Sequence, residues 1–129
     1  MKYYILIFAL IMAARFAEAQ VFDAFGPSTL IPAAASAPFG LQVSAVSSPA
    51  ARVYRIVNVG TNIAYVAYSS GGAAAGLNAV VPTAGNPREV VAVVSNATHF
   101  IVAPPGSFFS AIAPAGNTNL FITPGDFAK

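Results

Sequence analysis

The feature that most restricts what this chain can become is its punctuation. Beyond residue 40, clusters of Gly, Pro, Asn and Ser recur about every ten residues, and none of the apolar runs between them suits a helix. The turn signals are Val59-Gly60-Thr61-Asn62, Ser70-Gly71-Gly72, Pro82-Thr83-Ala84-Gly85-Asn86-Pro87, Ser95-Asn96-Ala97, Pro104-Pro105-Gly106 and Ala115-Gly116-Asn117. Between them lie runs of β-branched and aromatic residues: Leu41 to Val46, Arg52 to Val59, Ile63 to Tyr68, Ala79 to Val81, Glu89 to Val94, His99 to Ala103, Phe108 to Ile112, and Asn119 to Thr123. About eight short strands in this spacing predict an all-β fold, an antiparallel sandwich of jelly-roll-like or Ig-like form, over residues 40–129. Alternation sets Arg52, Tyr54, Ile56 and Asn58 on one strand face and Val53, Arg55, Val57 and Val59 on the other. Val90-Val91-Ala92-Val93-Val94 is apolar throughout, as in a strand covered on both sides.

The chain before this region has a different character. Residues 20–39 are rich in Ala, Pro and Ser, and Pro27, Pro32 and Pro38 stop either a helix or a central strand from running through them. They predict an extended N-terminal arm, whose Phe22, Phe25, Leu30, Ile31 and Phe39 are the expected anchors onto a neighbouring molecule. Residues 1–19 carry Lys2, an apolar run from Tyr3 to Ala14, and Ala17-Glu18-Ala19, the pattern of a signal peptide cut after Ala19; Met12 is an alternative start. The apolar run is shorter than the ~20 residues needed to cross a bilayer, so no stable membrane span is expected.

At 129 residues the chain suits one domain with one core. Charged residues make up only 8% of it, against roughly a quarter in an ordinary soluble domain, so something other than charge must cover the surface or keep it soluble. From Val21 to Ala128 there is no lysine, and the charges are Asp23, Arg52, Arg55, Arg88, Glu89 and Asp126. Sheet edges without charge are open to pairing with another chain, which predicts a homo-oligomer or attachment to a larger array. The net charge of +2 is spread over few groups and offers no basic face for nucleic acid. The absence of cysteine excludes disulfides and thiolate metal sites.

The residues that carry chemistry elsewhere stand alone here. His99 is the single histidine, the side-chain carboxylates Glu89 and Asp126 sit beside turn residues, and no Gly-x-Ser-x-Gly elbow supports a triad. Gly71-Gly72-Ala73-Ala74-Ala75-Gly76 lacks the Lys and Ser or Thr of a phosphate loop and is expected to be a hairpin loop. Asn96-Ala97-Thr98 fits a glycosylation acceptor but reads as a turn, and Tyr54, Tyr65 and Tyr68 with Arg52 and Arg55 read as packing residues rather than a base-stacking platform. No catalytic residue, cofactor, metal or small-molecule substrate is predicted, and the chain is not expected to be an enzyme.

Three stretches stand out together: Arg52-Val53-Tyr54-Arg55-Ile56-Val57-Asn58-Val59-Gly60-Thr61 with Ala64-Tyr65-Val66-Ala67-Tyr68; Ala97-Thr98-His99-Phe100-Ile101-Val102-Ala103; and Leu120-Phe121-Ile122-Thr123-Pro124-Gly125-Asp126. In this order they resemble small β-rich virion proteins of tailed bacteriophages. The resemblance implies a structural protein of a virus particle, a capsid decoration or minor virion component, whose partners are itself or a major capsid or coat protein. The apolar leader departs from that pattern and supports the alternative of a secreted or cell-surface β domain forming a coat or polymer. A carbohydrate-binding module has less support, because the chain has no Trp platform.

Overall fold

β-branched and aromatic runs between turn residues become strands wherever a second sheet covers their inner face, and nine strands form among the described residues. The structure is a computed structural model, and it describes residues 20–37, 40–43, 51–69, 79–86 and 88–128. The leader, Phe39 and the 71–76 loop lie outside the described residues. The strands are β1 (Phe22–Ala24), β2 (Thr29–Ala33), β3 (Leu41–Gln42), β4 (Val53–Asn58), β5 (Ala64–Ser69), β6 (Val91–Val93), β7 (Thr98–Val102), β8 (Phe108–Ile112) and β9 (Thr118–Phe127).

They make two antiparallel sheets. In the first, β9 lies between β4 and the successive segments β1 and β2, and β7 closes the far edge beyond β4; in the second the order is β3-β8-β5-β6. Counting β1 and β2 as one strand position, each sheet has four positions and the chain alternates between the sheets except from β5 to β6, which are neighbours in the second; the connections after β4, β6, β7 and β8 cross from one sheet to the other. That is the strand order of a jelly roll. The predicted all-β antiparallel sandwich is therefore the fold. The turn residues at 59–62, 95–97, 104–106 and 115–117 stand between strands as read, and these four connections are arches between sheets rather than hairpins, while 70–72 lies outside the described residues. Asn96, with φ of 55°, takes the left-handed conformation at the tip of the β6–β7 arch.

The core fills the space between the sheets. Ile31, Tyr54, Ile56, Ile101, Leu120 and Ile122 come from the first sheet and Val43, Val66, Val93, Phe109 and Ala111 from the second, all buried. Tyr54 and Phe109 meet across the gap with ring centroids 4.9 Å apart. The Tyr54 hydroxyl donates to the carbonyl of Pro104 at 2.9 Å, so its polar end is satisfied at the rim of the core.

Three expectations need correction. The arm is not free: β1 and β2 pair with β9, so residues expected to reach a neighbour complete this chain's own sheet, and the sandwich begins well before residue 40. Pro32 is accommodated because β2 is an edge strand. The last strand does not stop at Thr123 but runs through Pro124-Gly125 to Phe127. Phe25 donates its N–H to the Pro124 carbonyl, so the missing Pro124 N–H faces the same side, where residues 25–28 leave the ladder between β1 and β2. Finally, Ala79 to Val81 is not a strand; Ala79 is held by its N–H to Ser110 Oγ at 3.1 Å, and Pro82 follows at once.

Candidate interaction surface

The register of the first sheet decides what its two faces carry, because cross-strand partners share a face. Tyr54, Ile56 and Asn58 point inward, so Val53, Arg55 and Val57 point outward. Opposite these three stand Gly125, Thr123 and Phe121 on β9 and Val102, Phe100 and Thr98 on β7. Leu30 lies beyond Phe121, and Phe22 opposite Phe127. The outer face is therefore built from apolar residues with one charge, Arg55. Leu30, Phe100, Val102 and Phe121 expose 47%, 45%, 72% and 38% of their surface, so no described residue covers them, whereas Val53, Thr123 and Gly125 on the same face are buried. Contiguous exposed apolar surface of this kind marks an interaction site more often than a free surface.

One part of the face is pre-organised. Phe22, Phe100 and Phe127 form an aromatic trio, with centroids 5.5 Å apart for Phe22 and Phe100 and 5.2 Å for Phe100 and Phe127. The Arg55 guanidinium lies 5.1 Å from the Phe22 ring centre, a cation–π geometry, while its Nε is buried without a hydrogen-bond partner. Phe22 reaches this position across Gly125. A Cβ on Gly125 would collide with the Asp23 carbonyl oxygen and the Phe22 ring, so only glycine lets β1 lie this close to β9. At the end of β7 the face runs into a cleft of about 410 Å³ lined by Arg52, Val102, Ala103, Pro104 and Pro105.

A second cluster lies at the opposite end of β4 and is structural. Asn58 is fully buried and uses its whole amide: Nδ2 donates to the carbonyls of Asn62 at 2.8 Å and Val93 at 3.0 Å, and Oδ1 accepts from Gly60 N–H at 3.0 Å and Thr118 Oγ1 at 2.7 Å. One side chain thereby joins β4, the 59–63 arch, β9 and, across the sandwich, β6. Gly60 is required beside it, since a Cβ there would overlap the Thr118 side chain.

The predicted anchors separate. Ile31 is fully buried within this chain's core, so it belongs to the fold and not to a contact surface. Phe22 is half-buried in the aromatic trio, Leu30 is exposed on the outer face, and Phe25 is half-buried at the gap between β1 and β2. Phe39 lies outside the described residues. Sequence reasoning missed Phe100, Val102, Phe121 and Phe127; their signal was the alternation of His99-Phe100-Ile101-Val102 and Leu120-Phe121-Ile122, where both faces are apolar. Among the described residues, no three His, Asp or Glu side chains come together and no helix is long and apolar enough to cross a membrane. Asp126 Oδ1 accepts the N–H of Phe127 at 2.8 Å, a local turn contact. No protein-family model, curated protein or solved structure matches this chain.

Proposed function

We propose that this chain is a structural unit that works by contact, attaching to copies of itself or to a larger protein array, without catalysis. The observation that supports it most is the outer face of the first sheet, where Leu30, Phe100, Val102 and Phe121 stand exposed around a single charge. In the more specific form of this proposal the array is a virus particle, with the chain as a capsid decoration or minor component bound to a major capsid or coat protein. The likeness of the three strand stretches to phage virion proteins supports that form. The leader, with Lys2, the run from Tyr3 to Ala14 and Ala17-Glu18-Ala19, supports export to an extracellular coat instead.

Recovery of the protein from its native source, with the intact mass of its N-terminus, tests both forms. Co-purification with a coat protein in particles supports the virion, and an exported polymer beginning at Gln20 supports the coat. A monomer recovered without any partner overturns the assembly proposal.

A further inference from the structure

We infer that β7 is the seam along which two copies of this chain join, strand to strand, about a two-fold axis through Phe100. This rests on the assembly proposal and names its partner and register. The direction of each backbone group along β7 follows from two bonds: Ala103 donates its N–H to Arg52, and Ala97 accepts from Asn58, so the odd-numbered residues face β4. The N–H and C=O groups of Thr98, Phe100 and Val102 therefore point to the free edge, where no described strand pairs with them.

The other edges among the described residues are blunted. On β2 the residues facing outward are Leu30 and Pro32, and Pro32 has no N–H to offer on that side. β1 is three residues long and carries Asp23, β3 is two residues long, and β6 is three residues long beside Arg88 and Glu89. Short strands, prolines and charges are the devices by which natural sheets refuse a partner. β7 has five residues, no proline and no acidic or basic side chain other than His99, whose backbone faces β4.

The edge is also complementary to itself. An antiparallel pair centred on Phe100 sets Phe100 against Phe100 of the second copy and Thr98 against its Val102, twice. All three positions present N–H and C=O to the seam, giving about six ladder hydrogen bonds. The two outer faces then join on one side, so that the exposed Phe100 and Val102 of each copy meet the other's instead of water. The ladder bonds accept any extended segment, and what favours a second copy is that this register also covers the exposed Phe100 and Val102 of both copies at once.

The test uses the full chain and sedimentation equilibrium with charges placed in this register. Thr98 and Val102 are exposed, so at a concentration where the chain is monomeric all variants are expected to keep the wild-type thermal unfolding profile. Thr98→Lys with Val102→Lys puts two like-charged pairs across the seam and is expected to weaken dimerisation roughly 10- to 100-fold, whereas Thr98→Glu with Val102→Lys puts two opposite pairs there and keeps it within about 3-fold of wild type. A wild-type chain that stays monomeric at every concentration overturns the inference. So does self-association that the two double variants leave equally strong or equally weak, which would move the contact elsewhere while leaving the assembly proposal to its own co-purification test.

Discussion

β9 and β7 lie on either side of β4 and pair with it in the same antiparallel sense, yet one is enclosed and the other open. β9 is ten residues long, has β4 along one edge and β1 and β2 along the other, and buries Leu120 and Ile122 completely. β7 is half that length, has one partner among the described strands, and leaves Phe100 and Val102 exposed. Both are almost without charge. In β9 burial requires this, because an ionised side chain in the core is costly unless paired. In β7 burial requires it of Ile101 alone, and no described residue covers the outward Phe100 and Val102. The same poverty of charge thus has an internal cause in one strand and, under the seam inference, an external one in the next but one.

The strongest way to break the comparison is to remove what holds β4 and β9 to the second sheet. Asn58→Ala leaves the Gly60 N–H, the Thr118 hydroxyl and the Val93 carbonyl without their buried partner. The expected loss in urea unfolding is about 3–5 kcal/mol, the range for breaking a buried hydrogen-bond network. A loss below about 1 kcal/mol would mean that the amide is replaceable, by water for instance, and that the enclosed end of the sheet depends on apolar packing alone.

A smaller and more local break is Gly125→Ala. The new methyl group meets the Asp23 carbonyl and the Phe22 ring, so β1 has to move off β9 while β2 and β4 keep their pairing. The cost is expected at about 1–3 kcal/mol. Hydrogen exchange locates it: the amides of Phe25 and Ala128, bound to Pro124 and Val21, should exchange faster, and that of Val59, bound to Asn119, should not. Uniform acceleration across the sheet would show that β1 is not a separable edge.

Pro124-Gly125 also shows where the sequence stops being legible. The pair has turn chemistry, and only the gap between β1 and β2 makes it compatible with a strand paired on both sides. The strands from residue 53 onward were readable, to within a residue or two in most cases, because their turns carry Gly, Pro and Asn at fixed local offsets. Whether a turn is a hairpin or an arch was not, since 59–63 and 94–97 have hairpin composition and join different sheets. The same limit hid the surface. Alternation in β4, β7 and β9 gives two largely apolar faces each, and local pattern has no means of choosing the inner one; Asn58 lies on the buried face of β4 because four hydrogen bonds satisfy its amide there. The arm failed for a related reason: its prolines exclude a central strand but not an edge strand, and Ile31 has a core to enter only once β9 is in place.

The mildest substitution sharpens the comparison most. Val66 on β5 is fully buried, while Val102 on β7 is largely exposed on the outer face. Changing each to Thr keeps the β-branched shape and the strand preference, and replaces one methyl group by a hydroxyl. At Val66 that hydroxyl enters the core and should cost about 1–3 kcal/mol. At Val102 it meets water in the free chain, so the unfolding free energy should stay within about 0.5 kcal/mol of wild type. Val102→Thr should nonetheless weaken self-association, because across the seam the hydroxyl replaces a methyl group packed against Thr98 of the second copy. Measured at a concentration where the chain is monomeric, equal destabilisation by the two substitutions would mean that the outer end of β7 is already covered within one chain. The contrast between an enclosed β9 and an open β7 would then fail, and the seam with it.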